Sequence, residues 1–487
     1  MKYQRPLLFI STFLVLVFTT ASPQTIEGGD PIAQAPTTDS AVAEQPEPTP
    51  VVATPTPTPS PVTPLPKWYD KIKAQGQFRF RAEARDDVNR DNLEVDAIQN
   101  KLAGFLLYRI RLLVDFQPTD EFSVVVQPQF SSSFGQVDGI LNGSGSATGG
   151  NITSGGTIDK AITMHQAYLQ WKWNESFSLR AGRQELVYGD SMLIGNLDFN
   201  NVARSFDAFR FRYEREKHKL DFFYSRIAED DVNRPSVNGD IDFAGLYWAT
   251  EGDGFLQNFD AYALWLKDDR IVRVDAFETL LNFHFVTLGS RLKMAKFGFD
   301  FRGEGGIQVG EKEQQTMLAY MYDAEFGYTV PFKHPFRLAV GYNYASGDDP
   351  DTETFTRWHQ LFPSPHPYLG YLDFFGRQNI KSAVVRTAVN ISDKWTAGVD
   401  AHVFWRANTK DFVYSINTEV VADGQFFILT SEDKNLAQEI DANLKYTATK
   451  NIDVWAQGGV LFPKGFIQEE IGDYRSYYAF VQTTFRF

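Results

Sequence analysis

The stretch YYAFVQTTFRF (residues 477–487) places Tyr477, Ala479, Val481, Thr483, Phe485 and Phe487 on one parity. Tyr478, Phe480, Gln482, Thr484 and Arg486 take the other. Side chains alternate across a strand with period two. One face is therefore apolar except for Thr483, and the other carries Gln482, Thr484 and Arg486. Two folds accommodate such a strand. One is a soluble sandwich with this strand at its edge. The other is an outer-membrane barrel with this strand closing it, apolar toward lipid and polar toward a lumen. The rest of the chain decides between them.

The alternation recurs from Lys71 onward. GQFRFRAEAR (76–85) sets Phe78, Phe80, Ala82 and Ala84 against Arg79, Arg81, Glu83 and Arg85. LLYRIRLLVDF (106–116) sets Ile110, Leu112 and Val114 against Arg109, Arg111 and Asp115. AFRFRYE (208–214), FGFDFRGE (297–304) and KWTAGVDAHVFWR (394–406) repeat it around Arg210 and Arg212, Asp300 and Arg302, and Asp400, His402 and Arg406. No comparable helical period appears. The segments between strands sort by length. Short turns lie at 117–121, 174–176, 215–218, 294–297, 331–335, 392–394 and 447–451. Long polar segments lie at 86–100, 132–160, 184–203, 229–240, 347–379, 407–434 and 463–473. A sandwich has no reason to sort its connections this way. A membrane barrel has short periplasmic turns and long extracellular loops, and strands of ten or more residues suit a tilted span. The runs predict an all-β, transmembrane antiparallel β-barrel of about 18 strands with both ends periplasmic. The strands near 241–249, 259–267 and 280–293 are the least clearly patterned.

The N-terminus agrees. Lys2 and Arg5 precede a short apolar core, LLFISTFLVLVF (7–18), and TTAS supplies small residues with cleavage expected after Ala21. That layout predicts a secretory signal peptide over 1–21. Residues 22–66, with the run EQPEPTPVVATPTPTPSPVTPLP, hold about half of the 23 prolines. They are expected to form a disordered, semi-rigid periplasmic linker. The barrel is expected over 67–487, in the outer membrane of a Gram-negative envelope. The 487 residues include no cysteine, which excludes disulfides, thiol catalysis and thiolate metal sites. Aromatic residues make up 15%, with 42 Phe and 21 Tyr, as strands and interfacial girdles favour. The net charge of −14 argues against nucleic acid as a partner.

Energetics assign the faces. An arginine on the lipid face near the midplane costs about 2–4 kcal/mol. Six of them in three strands (Arg79, Arg81, Arg109, Arg111, Arg210, Arg212) would exceed the marginal stability of a fold. They must face the lumen. Arg180, Arg302, Arg386 and Arg406 share that parity. Two readings of this set stand together. It is an electropositive track for an anionic solute, because guanidinium stays charged and matches carboxylates with a planar fork. It is also a structural network with Glu83, Asp115, Glu214, Asp300, Glu304, Glu439 and Asp441.

LRAGRQELVYGDSMLIGNLDFNNVARSFDAFRFRYE (179–214) resembles the signature segment of the alginate-export outer-membrane porin family, through Gly182, Arg183, Gln184, Glu185, Gly189, Asp190, Gly195, Arg204, Phe206, Asp207 and Ala208. GYNYASGDDPDTETFTRWHQLFPSPHPYLGYLDFFGRQN (341–379) resembles a later block, through Gly347, Asp348, Phe362, Pro363, His366, Tyr368 and Gly370. The likeness runs from about residue 70 to the end. It implies an 18-stranded barrel that passes a uronate polymer through an arginine-lined constriction, and it adds Arg183 to the substrate pathway. The Pro-rich extension departs from the family pattern.

Other features carry less. The run GDDPDTE clusters Asp348, Asp349, Asp351 and Glu353 and reads as a solvated acidic loop before a Ca²⁺ site. GEGGIQVG (303–310) lies in a strand context and is no phosphate loop. Seven histidines are scattered, with neither an HExxH helix nor a serine elbow. No catalytic residue, metal or cofactor is expected. The expected function is selective diffusion or export of anionic sugar polymers or oligomers, with outer-membrane lipid and the barrel-assembly machinery as partners. The alternatives are a barrel enzyme and a structural envelope protein.

Overall fold

A computed structural model describes residues 68–86, 102–134, 159–228, 240–269, 271–274, 277–280, 282–416 and 431–487. The expected signal peptide and Pro-rich linker lie outside these residues, as do the middles of four long loops. The main sheet has 19 strands, one of them the two-residue Thr354–Phe355. The other 18 form a closed antiparallel barrel. In chain order they are β1 (Ile72–Asp86), β2 (Leu102–Phe116), β3 (Phe122–Phe134), β4 (Asp159–Lys172), β5 (Phe177–Gln184), β6 (Phe206–Arg215), β7 (His218–Ala228), β8 (Ile241–Glu251) and β9 (Leu256–Asp268). They continue with β10 (Phe283–Lys296), β11 (Phe299–Lys312), β12 (Gln315–Val330), β13 (Phe336–Ala345), β14 (Ile380–Asn390), β15 (Trp395–Arg406), β16 (Asn435–Thr449), β17 (Ile452–Pro463) and β18 (Ser476–Arg486). Each pairs with its sequence neighbour, and β18 closes on β1 in the register Gln77↔Arg486 to Arg85↔Tyr478. Closure removes both free sheet edges, as a span in lipid requires.

The parity expectation holds on most strands; on β4 a bulge at His165 moves the outward parity from Ile162 and Met164 to Leu169 and Trp171. Ile110, Leu112, Phe209, Phe211, Ile307, Val309, Val385 and Val399 are exposed on the outside, whereas Arg79, Arg81, Arg109 and Arg111 are buried inside. The short turns are tighter than expected. Phe297 and Gly298, both at positive φ, join β10 to β11 in the manner of a type I′ hairpin turn. One connection on the long-loop side departs from the alternation. Glu313 and Gln314 alone join β11 to β12, with Lys312 paired to Gln315.

The lumen is not uniformly wet. Loops 185–205 and 346–379 fold into it and form one buried cluster with inward residues of the wall. Leu193, Ile194, Trp358, Phe362 and Phe375 of the loops meet Phe223, Phe243, Tyr262, Leu264, Phe283 and Phe285. Phe362 packs edge-on against Phe206 and Phe243, with centroids 5.8 and 4.9 Å apart. This explains why β8, β9 and β10 lack a clean pattern. Much of their inward face, at Phe243, Tyr262, Leu264, Phe283 and Phe285, is covered by loops instead of water, so it is apolar as well.

Candidate functional site

The two inward loops are joined to each other along their backbones. Phe362 donates its N–H to the carbonyl of Leu193 (2.9 Å), Gly195 donates to Phe362 (2.8 Å), and Ser364 donates to Ser191 (2.8 Å). Buried Arg204 donates to the carbonyls of Gly195 (3.2 Å) and Pro363 (3.0 Å). The two sequence blocks singled out above, far apart in the chain, therefore meet as one structure inside the barrel. Loop 346–379 is held to the wall in turn. Gln308 and the backbone of His359 exchange two hydrogen bonds, of 2.9 and 2.8 Å. Glu439 accepts from the N–H of Leu372 (2.9 Å). His366 is a structural residue. It bonds Asp373 (2.8 Å) and Gln457 (3.0 Å) and stacks on Phe199 at 3.6 Å.

The sequence-predicted arginines fall into three groups and two outliers. The first group lies on β1 and β2, where Arg79 and Arg109 are direct cross-strand partners. All four guanidinium groups meet the tip of loop 185–205. Asp198 bridges Arg109 and Arg111 through one oxygen, at 2.8 Å from each. Arg79 donates to the carbonyls of Asp198 (2.7 Å) and Asn200 (2.6 Å), and Arg81 donates to that of Phe199 (2.6 Å). The Arg81 guanidinium lies over Phe199 and Phe480, at 4.3 and 4.7 Å. Ser131 donates to the carbonyl of Asn201 at 3.0 Å. Four successive carbonyls of a loop removed from the sheet thus find wall donors, which buried backbone requires.

The second group lies on β5 and β6. Arg180 and Arg210 are direct cross-strand partners. Arg180 bonds neutral Gln170 (2.8 Å) and lies over Tyr168 at 4.2 Å. Asp221 is held bidentately by Arg212, at 2.7 Å twice, and also accepts from Tyr188 (3.0 Å). Arg210 stands 4.0 Å from that same carboxylate, and its Nε has no hydrogen-bond partner among the described residues. Arg212 and Arg210 thus share one carboxylate, while Arg180, the cross-strand partner of Arg210, bonds neutral Gln170.

The third group is close to charge balance. Arg302 pairs with Asp323 (2.7 Å), and Arg386 pairs with Asp400 (2.5 Å) and Glu325 (3.0 Å). Arg337, which also meets Glu325 (2.8 Å), belongs here, as does buried Arg377 at 3.6 Å from Asp323. Arg291, bound to Asp260 at 2.6 Å, stands nearby on β10. Sequence reading missed Arg291 because the first half of β10 is apolar on both faces, with Phe283 and Phe285 inward and Val286 and Leu288 outward. Arg377 and Arg204 lie on loops, where parity says nothing. Asp198 had no signal beyond its place in a motif block.

The two outliers correct the expected pathway. Arg183 pairs with Asp207 (2.6 Å), and both side chains are about half exposed, at 45% and 56%. Asp207 sits between buried Phe206 and Ala208, so the pair points away from the lumen. Unbroken alternation explains it: counted from inward Arg180, residue 183 falls on the outer parity, and the register with β6 stays regular through Arg183↔Asp207. Arg406 is fully buried and donates to the carbonyls of Ser431 (2.7 Å), Asp433 (2.8 Å) and Thr409 (3.1 Å). It fastens the roots of loop 407–434. In the acidic run, Lys410 neutralises Asp349 (2.9 Å) and Asp351 (2.7 Å).

Among solved structures the chain is similar to outer-membrane porins of Pseudomonas aeruginosa. OccK2 (OpdF) aligns with a TM-score of 0.54 at 12% identity, covering 86% of this chain and 98% of that one. The structure of OccK2 in complex with glucuronate gives 0.53 at 12%, over 86% and 98%. OpdL gives 0.52 at 10%, over 86% and 99%. No curated protein matches the sequence. The family model described as alginate export matches residues 70–481. A closed porin-type barrel matched over nearly its whole length places this outer-membrane chain in the alginate-export family.

Proposed function

We propose that the barrel carries anionic sugar polymers or oligomers, of the alginate-like uronate class, along its arginine-bearing wall. The observation that carries this reading is the Arg180–Arg210–Arg212 cluster, in which Arg210 and Arg212 share Asp221 while Arg180, cross-strand from Arg210, bonds only neutral Gln170. A carboxylate about 4 Å from a guanidinium gains roughly 4 kcal/mol at an effective dielectric near 20, enough to draw a uronate inward. Successive sites let it leave again. Arg79, Arg81, Arg109 and Arg111 on one side and Arg302 and Arg386 on the other extend the track. Glucuronate in the OccK2 complex belongs to the same ligand class and supports the reading. In this account the chain is a conduit and not a catalyst. Residues 1–21 act as the signal peptide, 22–66 as the periplasmic linker and 67–487 as the barrel. The barrel-assembly machinery inserts it through its terminal aromatic strand.

The test is ion selectivity in planar bilayers with Arg180→Glu and Arg210→Glu combined. The expected result is a loss of anion preference and weaker glucuronate block, with the barrel still folded. Unchanged selectivity together with lowered heat resistance would assign the cluster a structural role instead.

A further inference from the structure

The four arginines of β1 and β2 would be the densest part of the track, yet a loop tip occupies them. Asp198 supplies a carboxylate to Arg109 and Arg111, and the carbonyls of Asp198, Phe199 and Asn200 supply oxygens to Arg79, Arg81 and Arg109. The ligand set is an anion with a row of oxygen acceptors beside it, which is the chemistry of a polyuronate. The Asp198 side chain is 47% exposed, whereas those of Arg109 and Arg111 are 0% and 7% exposed. The side chain at the tip is therefore less covered than the arginines that hold it. The tip begins at Leu197, a non-glycine residue at φ 50°, a left-handed conformation that L side chains rarely adopt.

We propose that Arg79, Arg81, Arg109 and Arg111 form a latent polyuronate site, with the loop tip at residues 197–201 as a resident surrogate that the incoming polymer displaces. This rests on the transport reading above. Guanidinium–carboxylate bonds are roughly twice as strong as those to neutral carbonyls, so a chain with a carboxylate on every sugar outcompetes the three carbonyls. A tethered Asp198 acts at an effective concentration in the millimolar range. A single uronate competes poorly with that, whereas a polymer engages several arginines from one encounter and gains by avidity. The site therefore selects for chain length as well as for charge.

The chain has no cysteine, so a nitroxide on Val202→Cys reports the tip in proteoliposomes. A uronate oligomer should raise label mobility at about one-tenth of the carboxylate concentration that glucuronate needs. A neutral oligosaccharide of equal length should have no effect. With Asp198→Asn added, the oligomer should act at a concentration lower by about tenfold or more, and Asp198→Glu should restore the wild-type response. A label that stays immobile while bilayer recordings show the oligomer entering would overturn the proposal and leave the transport reading standing. So would an unshifted response in Asp198→Asn. An oligomer that neither enters in recordings nor moves the label would refute the transport reading and the latent site together.

Discussion

Phe487 and Gly76 exchange two backbone hydrogen bonds, Gly76 N–H to the Phe487 carbonyl at 2.7 Å and Phe487 N–H to the Gly76 carbonyl at 3.0 Å. The phenyl ring lies over the glycine so closely that a Cβ on residue 76 would fall 2.1 Å from it. The last residue thus extends the seam between β18 and β1 by one full pair, with its ring on the outer parity. Deleting Phe487 removes both bonds, each worth about 0.5–1.5 kcal/mol, along with the ring that covers the glycine. The expected outcome is a lower yield of heat-resistant barrel on gels, with channel selectivity unchanged in the fraction that inserts. Gly76→Leu should do the same by expelling the ring. Normal insertion of the truncated chain would show that the seam does not need this pair.

Orientation follows from loop lengths. Glu175 sits in a short turn, expected on the periplasmic side, and Asp351 and Lys410 are exposed on the side of the long loops. A membrane-impermeant thiol reagent on intact cells should label Asp351→Cys and Lys410→Cys, and it should leave Glu175→Cys untouched until the outer membrane is opened. The reverse pattern would invert the topology.

The strands were legible because lipid and lumen impose opposite demands on alternate residues. Phe209 and Phe211 against Arg210 and Arg212 admit one arrangement at acceptable cost. Where a loop replaces water inside, that contrast disappears. Phe243, Leu264 and Phe285 are as apolar as their lipid-facing neighbours, and the strands that hold them read poorly. The inward course of loops 185–205 and 346–379 left no periodic trace either, since it depends on backbone carbonyls meeting wall arginines. Parity could aim Arg79 and Arg109 at the interior, but it could not say that Asp198 would be waiting there. Arg183 misled for a different reason. It entered the pathway through the motif resemblance, although three residues on from inward Arg180 its own parity is the outer one.

Arg204 is the rivet between the two inward loops. Replacing it with Met keeps the side chain's length and removes the donors to Gly195 and Pro363. Each buried carbonyl left without a partner costs about 1–3 kcal/mol, so the loops should separate while the barrel persists. Single-channel recordings of Arg204→Met should show larger and noisier conductance than wild type, with the heat-resistant band retained. A quiet channel of unchanged conductance would mean that the Leu193–Phe362 pairing holds the loops without it.

Asp198 sets how acid the medium must become before the tip lets go. Burial alone raises the carboxyl's pKa, but the charges of Arg109, Arg111 and Arg79 outweigh burial and hold it well below the usual carboxylate range. A group whose pKa is lowered in the docked state contributes its stabilisation in full above the free aspartate value near 3.9, and loses it only as pH falls through the depressed one. Docking of the tip should therefore be insensitive to pH from 8 down to about 4, with release confined to stronger acid. The label at Val202→Cys reads this directly. A second titratable group stands at the loop's roots, where His165 bonds both Glu185 (2.8 Å) and Ser205 (2.9 Å). If that imidazole governed the loop, release would survive Asp198→Asn. A transition that persists in that variant would transfer control from the arginine-bound tip to the roots, whereas a profile flat down to pH 4 whose acid release Asp198→Asn abolishes would keep it at Asp198.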